Sequence, residues 1–333
     1  VSKVGAHYGD LQAQIVAEAL AMLDQALRRG RSSPESWRDA VQSIGNRLLL
    51  MQVQTATYAD AYLNDILEAQ GADPSAEGRV NPQAWADLSD GGGSWLQGLV
   101  FAPNSVRDTK ADWFSRFQFV AGSIVKTGLG DAARSSVQAG MQARPAVKGY
   151  VRMLRGTSCA RCAILAGKHY RSATAFKRHK RCDCVNIPVA ENNGRNWATS
   201  PKDYFNSLDP ANQDRLFTKA GAQAIRDSGT SEKTMNQVVN ARQGITTVSA
   251  FGHEIQATTV GTTKRAVFGG YEVLADGTLR RRSDSELQKL PGNRYRTAKA
   301  PRLMPDEIYR LAEEFGWDRT EVLRQLRRFA YVI

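Results

Sequence analysis

Tyr150-Val151-Arg152-Met153-Leu154, then Cys159-Ala160-Arg161-Cys162, then His179-Lys180-Arg181-Cys182-Asp183-Cys184-Val185-Asn186-Ile187-Pro188-Val189 is the stretch that decides how this chain is built. All four cysteines of the 333 residues fall inside it. Zinc takes four soft or borderline ligands in a tetrahedron, and a Cys-x2-Cys turn delivers two thiolates to it. The second cluster offers His179, Cys182 and Cys184. The alternating residues on either side read as two strands, one leading into Cys159 and one leaving Cys184. The expected unit is therefore a zinc-stapled α+β module in which the metal pins two strands together.

The ligand set stays open among five residues: Cys159, Cys162, His179, Cys182 and Cys184. On an extended strand Cys182 and Cys184 would share a face one pleat repeat apart, which is wide for one metal. Both reach it if the backbone turns between them. Otherwise His179 supplies one ligand and one of the two cysteines another. With four protein ligands and no open position the site is structural. A disulfide within Cys-x2-Cys or Cys-x-Cys is geometrically awkward, and the start of the chain carries no apolar export signal. Asp183 reads as a solvated acid and His169 as a weak competitor for the metal. His7 and His253 are isolated.

Working outward, the chain carries a formal net charge of +12, with 42% hydrophobic and 23% charged residues. That is a folded composition, long enough for two or more domains. Ten basic residues run from Lys148 to Arg181 against the single acid Asp183. A second concentration is Arg280-Arg281-Arg282, followed by Lys289, Arg294, Arg296, Lys299 and Arg302. Such runs usually form a solvated face. Their density favours an anionic partner, either phosphate backbone bound without sequence preference or an acidic protein surface. Arg178, Lys180, Arg181, Arg280, Arg281 and Arg282 are the contact candidates. No run approaches the roughly 18 apolar residues of a membrane span.

The flanks are mostly helical. Residues 1–71 read as a helical hairpin, with Ser33-Pro34 opening the second helix. Residues 72–94 have linker composition. A helical segment follows over 95–147, beginning near Trp95, restarting near Asp108-Thr109 and interrupted at Gly128 and Gly130. The zinc module occupies 148–190. Residues 191–244 are helical again, 245–303 form an irregular basic arm with hairpins, and 304–333 form a helical pair. The apolar face of the last helix (Val322, Leu326, Phe329) is expected to anchor a partner. The fold class is mainly α with the small α+β module, strung out in many segments.

The chain has no Walker motif, no dinucleotide-binding glycine fingerprint, no nucleophile elbow and no His-Glu-x2-His. Its cysteine pattern, Cys159-x2-Cys162 then His179-x2-Cys182-x-Cys184-x3-Pro188, resembles the head-morphogenesis minor capsid proteins of tailed bacteriophages, the Mu F-like family. Ala166-Gly167-Lys168-His169-Tyr170 between the clusters and Gln237-Val238-Val239-Asn240-Ala241-Arg242-x-Gly244 after them are similar to stretches of its actinobacteriophage members. The similarity covers roughly residues 95 to 245, and Lys180 stands where the family usually has proline. The resemblance implies a structural, portal-associated virion protein of the capsid interior. Its partners would be the portal, the major capsid protein and packaged double-stranded DNA. It would pass through the host cytoplasm during assembly and have no small-molecule substrate, no membrane and no established reaction. Structural Zn2+ is the expected cofactor. The alternatives are a zinc-supported nuclease or phage-delivered toxin acting on nucleic acid, and a cellular nucleic-acid-binding zinc protein.

Overall fold

Ser33 does at the start of the second helix what its sequence position implies. Its hydroxyl accepts the Ser36 amide at 3.1 Å, and the Ser36 hydroxyl accepts the Ser33 amide at 2.9 Å. The reciprocal pair satisfies two helix-start donors, and Pro34 gives up an amide that would go unused. In this computed structural model the described residues are 2–30, 33–89, 93–106, 113–155, 158–172, 184–190, 199–242, 245–250, 253–258, 271–273, 279–281, 302–329 and 331–332. They are mainly helical, with a small three-stranded antiparallel sheet beside the first helices. The chain divides into two compact units: 1–158 with 166–199, and 159–165 with 200–333.

The first unit is built on α1 (Ser2–Gly30), α2 (Pro34–Glu68), α3 (Trp95–Val100) and α4 (Trp113–Gln142). Ile15, Leu23 and Leu27 of α1 share a core with Val41, Leu48 and Met51 of α2 and with Phe117, Val125 and Leu129 of α4. These residues recur at three- and four-residue spacings, so each helix buries one stripe. Trp37 sits at the centre, edge-on to Phe117 at 4.7 Å, and its indole donates to the Leu99 carbonyl at 3.1 Å. Arg144, almost fully buried, ties α4 to α2. Its guanidinium meets Asp60 Oδ1 at 3.1 Å, Asn64 Oδ1 at 2.8 Å and the Gly140 carbonyl at 3.0 Å.

Residues 72–89, within the stretch of linker composition, are held along this helical layer. The Val80 amide donates to Asp60 at 2.9 Å, the Glu77 amide to the Ala143 carbonyl at 2.7 Å, and Gln52 Nε2 to the Leu88 carbonyl at 2.8 Å. A one-turn 3-10 helix at Pro82–Trp85 is capped by Asn81.

The interruption expected at Gly128 and Gly130 does not occur, and α4 runs through both. Gly128 lies under the Trp95 indole, where a Cβ would come within 2.1 Å of Nε1. That nitrogen donates to the Ile124 carbonyl at 3.0 Å, one turn earlier in the same helix. The glycine serves close packing here, and tertiary contact outweighs its helix cost of about 1 kcal/mol. The helix start expected near Asp108-Thr109 lies outside the described residues.

The sheet has β1 (Gly149–Met153) in the centre, β2 (His169–Arg171) on one side and β3 (Val185–Val189) on the other, all antiparallel. The two strands expected from sequence pair directly, from Gly149 opposite Val189 to Met153 opposite Val185, so a backbone ladder joins them. β2 was not expected. β3 is an edge strand whose outward carbonyls are taken by helix side chains. Arg134 Nη1 donates to Cys184 O at 3.3 Å, the Tyr62 hydroxyl to Asn186 O at 2.7 Å, and Gln70 Nε2 to Pro188 O at 2.8 Å. Pro188 also lacks the amide a further strand would need, so the edge is closed to pairing.

The second unit holds the one-turn helix α5 (Ala160–Ala163), then α6 (Pro201–Ser207), α7 (Pro210–Phe217), α8 (Lys219–Asp227) and α9 (Glu232–Ala241). Strands β4 (Ile245–Ala250) and β5 (His253–Thr258) pair as a hairpin, and β6 (Tyr271–Val273) pairs with β7 (Leu279–Arg281). β8 (Arg302–Leu303) pairs with β5 and leads into α10 (Pro305–Phe315) and α11 (Arg319–Arg328). Gly316 ends α10 in the left-handed conformation at φ +65°, and Asp318 caps α11 through the Glu321 amide. Val322, Leu326 and Phe329, expected to face a partner, are buried inside this unit. The Tyr309 hydroxyl of α10 donates to Asp227 of α8 at 2.7 Å. Val322, Leu326 and Phe329 therefore belong to a core.

Candidate metal centre

Cys159 is half-buried and occupies the N-cap of α5 with extended backbone at φ −66°, ψ 161°. Cys162, fully buried, follows inside that single turn. The amides of Cys162 and Ala163 both donate to the Cys159 carbonyl at 2.9 Å. One helical turn thus places two sulfurs on neighbouring positions, the i,i+3 relation. The spacing is that of a Cys-x2-Cys half-site. The chain then recovers through Gly167, at φ +66°, whose amide donates to the Arg152 carbonyl at 2.9 Å and so starts β2.

Cys184 is buried at the entrance to β3. It continues the alternation that puts Asn186 and Pro188 on one face of the sheet, opposite Arg152 and Tyr150 of β1. Arg152 is almost completely buried there and hydrogen-bonds Tyr170 of β2. Burial raises the Tyr170 phenol above its ordinary value, Arg152 pulls the other way, and Cys184 adds to the rise. Arg152 was read as part of a basic surface, and its burial removes it from that surface.

Other members of that basic run are also engaged. Arg155 donates to the Gly9 carbonyl and to Asp10 on α1. Lys168 stands over the Tyr170 ring at 5.5 Å, and Lys148 donates to the Pro145 carbonyl at 3.1 Å. Arg161 and Arg171 are exposed. Lys177, Arg178, Lys180 and Arg181 lie outside the described residues, as do His179, Cys182 and Asp183. In the arm, Arg280 and Arg281 lie on β7, where the register sets Arg280 opposite Glu272 and Arg281 opposite Tyr271. Arg282 lies outside the described residues.

Among the described residues no group of three or more His, Cys, Asp or Glu side chains converges in metal-holding geometry. His169, the weak competitor, packs its Nε2 against Gly149, where a Cβ would come within 2.5 Å. His7 is exposed on α1, and His253 opens β5. Arg134 and Arg152, which position Cys184 and its surroundings, were missed by sequence reasoning. The parity of Arg152 with Tyr150 along the strand was the available signal.

The fold and this cysteine-bearing turn define a mainly helical protein with a small antiparallel sheet. The chain belongs to the VG15 protein family, whose model matches residues 3–211. The match spans the whole helical layer and the sheet and ends at the start of α7. No curated protein and no solved structure matches the chain. No helix among the described residues is long and apolar enough to cross a membrane.

Proposed function

We propose that this protein is a structural minor capsid protein of a tailed phage. In this reading it acts in head morphogenesis, next to the portal in the capsid interior and close to packaged DNA. Its resemblance to Mu F-like minor capsid proteins supports the reading, and membership of the VG15 family over residues 3–211 is compatible with it. The observation that carries it is the cysteine module: a Cys159-x2-Cys162 turn after the central strand, and Cys184 at the entry to the edge strand. A structural Zn2+ held by Cys159, Cys162 and two of His179, Cys182 and Cys184 would supply folding energy to this module. The net charge of +12 suits a place beside densely anionic DNA.

Mass spectrometry of purified DNA-filled heads tests the reading. The protein is expected as a minor component that survives washing of the particle exterior. Its absence from filled heads would overturn the assignment. A plasmid-nicking assay with Mg2+ or Mn2+ tests the nuclease reading. Robust cutting that is lost on changing a carboxylate, but kept on changing a cysteine, would replace the structural role with an enzymatic one.

A further inference from the structure

A half-open cavity of about 450 Å3 lies within the first unit, between α1, α4 and the start of β3. Its volume is that of an ordinary ligand pocket. Small residues make the space: Ala13 and Ala17, one turn apart and both exposed on α1, face Gly130 and Ala133 on α4. Val16, Leu20 and Val137 give it apolar walls. The valley follows both helices for more than two turns, so it is shaped for a length of chain.

Two observations say what chemistry would fill it. The first is Asn186, only 3% exposed, which lines the cavity and whose buried side-chain oxygen has no hydrogen-bond partner among the described residues. A buried amide oxygen without a donor is destabilising, so a ligand bringing an N–H or O–H gains by entering. The second is charge. Among the described residues, Lys126, Arg134 and Arg155 line the cavity and no carboxylate does. Arg134 is paired with Asp131, and Arg155 with Asp10. Lys126 has no ion pair among the described residues, so these residues give the valley a net positive charge.

We propose that this valley binds an aliphatic segment of a partner protein that carries one carboxylate. Its side chains would fill the space over Ala13 and Ala17. Its acid would meet Lys126, and a donor group would satisfy Asn186 Oδ1. A peptide supplies apolar bulk, N–H donors and an acid together, whereas a simple fatty acid has no donor for Asn186. The proposal rests on neither the metal nor the capsid assignment.

The test uses the full-length chain and a fluorescein-labelled, end-blocked twelve-residue Leu/Ala peptide with a single Glu, followed by fluorescence anisotropy. The expected result is saturable binding, weakened about tenfold by Lys126→Glu or by replacing the peptide's Glu with Lys. Ala17→Phe, which fills the valley from its exposed side, should abolish binding. Asn186→Leu should weaken it. Ala21→Phe, exposed on the same helix but outside the cavity, is the control and should bind normally. Circular dichroism melts identify any variant that fails to fold, and Ala13→Phe replaces Ala17→Phe if that one does. Absence of peptide binding at millimolar concentration overturns the proposal, as does binding indifferent to Lys126 and Ala17. Decanoate binding as tight as the peptide's would reassign the valley to small amphiphilic anions.

Discussion

The guanidinium of Arg134 donates to the carbonyl oxygen of Cys184 at 3.3 Å while holding Asp131 at 2.8 Å, so a buried ion pair on α4 fixes the residue that opens β3. Both charged side chains are at least nine-tenths buried. Arg134→Met is expected to destabilise the first unit by about 3 kcal/mol, because it strands a buried carboxylate and uncaps the sheet edge. Adding Asp131→Asn should recover part of the loss. Urea unfolding measures both, and a single variant as stable as the parent would show that the pair holds nothing in place.

Gly128 is required by the Trp95 indole. Gly128→Ala should cost about 1–3 kcal/mol through overpacking, although alanine is the better helix former. Trp95→Phe should be less harmful in the Gly128→Ala background than in the parent, because it removes the ring edge that the new methyl strikes. A double-mutant cycle from thermal melts reads this coupling.

Tyr8 and Tyr62 stack at 4.0 Å, and their hydroxyls donate to the Ala133 and Asn186 carbonyls. Burial is the main cause that raises both phenols above the ordinary tyrosine value; Arg134 pulls Tyr8 down and Tyr8 raises Tyr62 further. In the unfolded chain each titrates near pH 10. Their contribution to stability is therefore complete below about pH 10 and is lost as pH climbs toward the raised folded values. Absorbance at 295 nm should show Tyr8 and Tyr62 among the tyrosines that ionise only with alkaline unfolding, and Tyr62→Phe should reduce that group by one. Ionisation of both near pH 10 in folded protein would contradict their burial.

The basic arm should bind duplex DNA weakly and without sequence preference, with affinity falling steeply as salt rises. Charge reversal at Arg280, Arg281 and Arg282 together should weaken every sequence equally. Electrophoretic shifts over a salt series check this. If no binding appears even at low salt, the basic residues meet acidic protein instead.

Protein purified without chelator should carry about one zinc per chain, which stabilises its module by on the order of 10 kcal/mol. Cys159→Ser and Cys162→Ser should each lose the metal. Elemental analysis that finds none in the parent protein sinks the zinc assignment.

Much of the helical framework was legible because its signals are local. Ser33-Pro34, Gly316 and Asp318 mark helix ends by their own backbone and side-chain chemistry, and the apolar periods of α1 and α2 need no partner to be read. What was misread depends on distant contacts. Gly128 looks like a breaker until Trp95 is placed over it. His169-Tyr170-Arg171 is too short to show an alternation, and it becomes a strand through pairing with β1. Arg152 looked like one cation in a basic run, but its place opposite Asn186 buries it. Val322, Leu326 and Phe329 were correctly read as an apolar face, but periodicity cannot say whether such a face meets its own chain or another. The Cys159-x2-Cys162 turn stands out by spacing alone, whereas the arginine that holds Cys184 comes from α4.

The most direct measurement is a cryo-EM map of the head-to-tail region in DNA-filled particles. The account predicts density inside the capsid against the portal that fits the α1, α2 and α4 layer with its three-stranded sheet. Density for the chain only on the particle exterior, or none in filled heads, would contradict it.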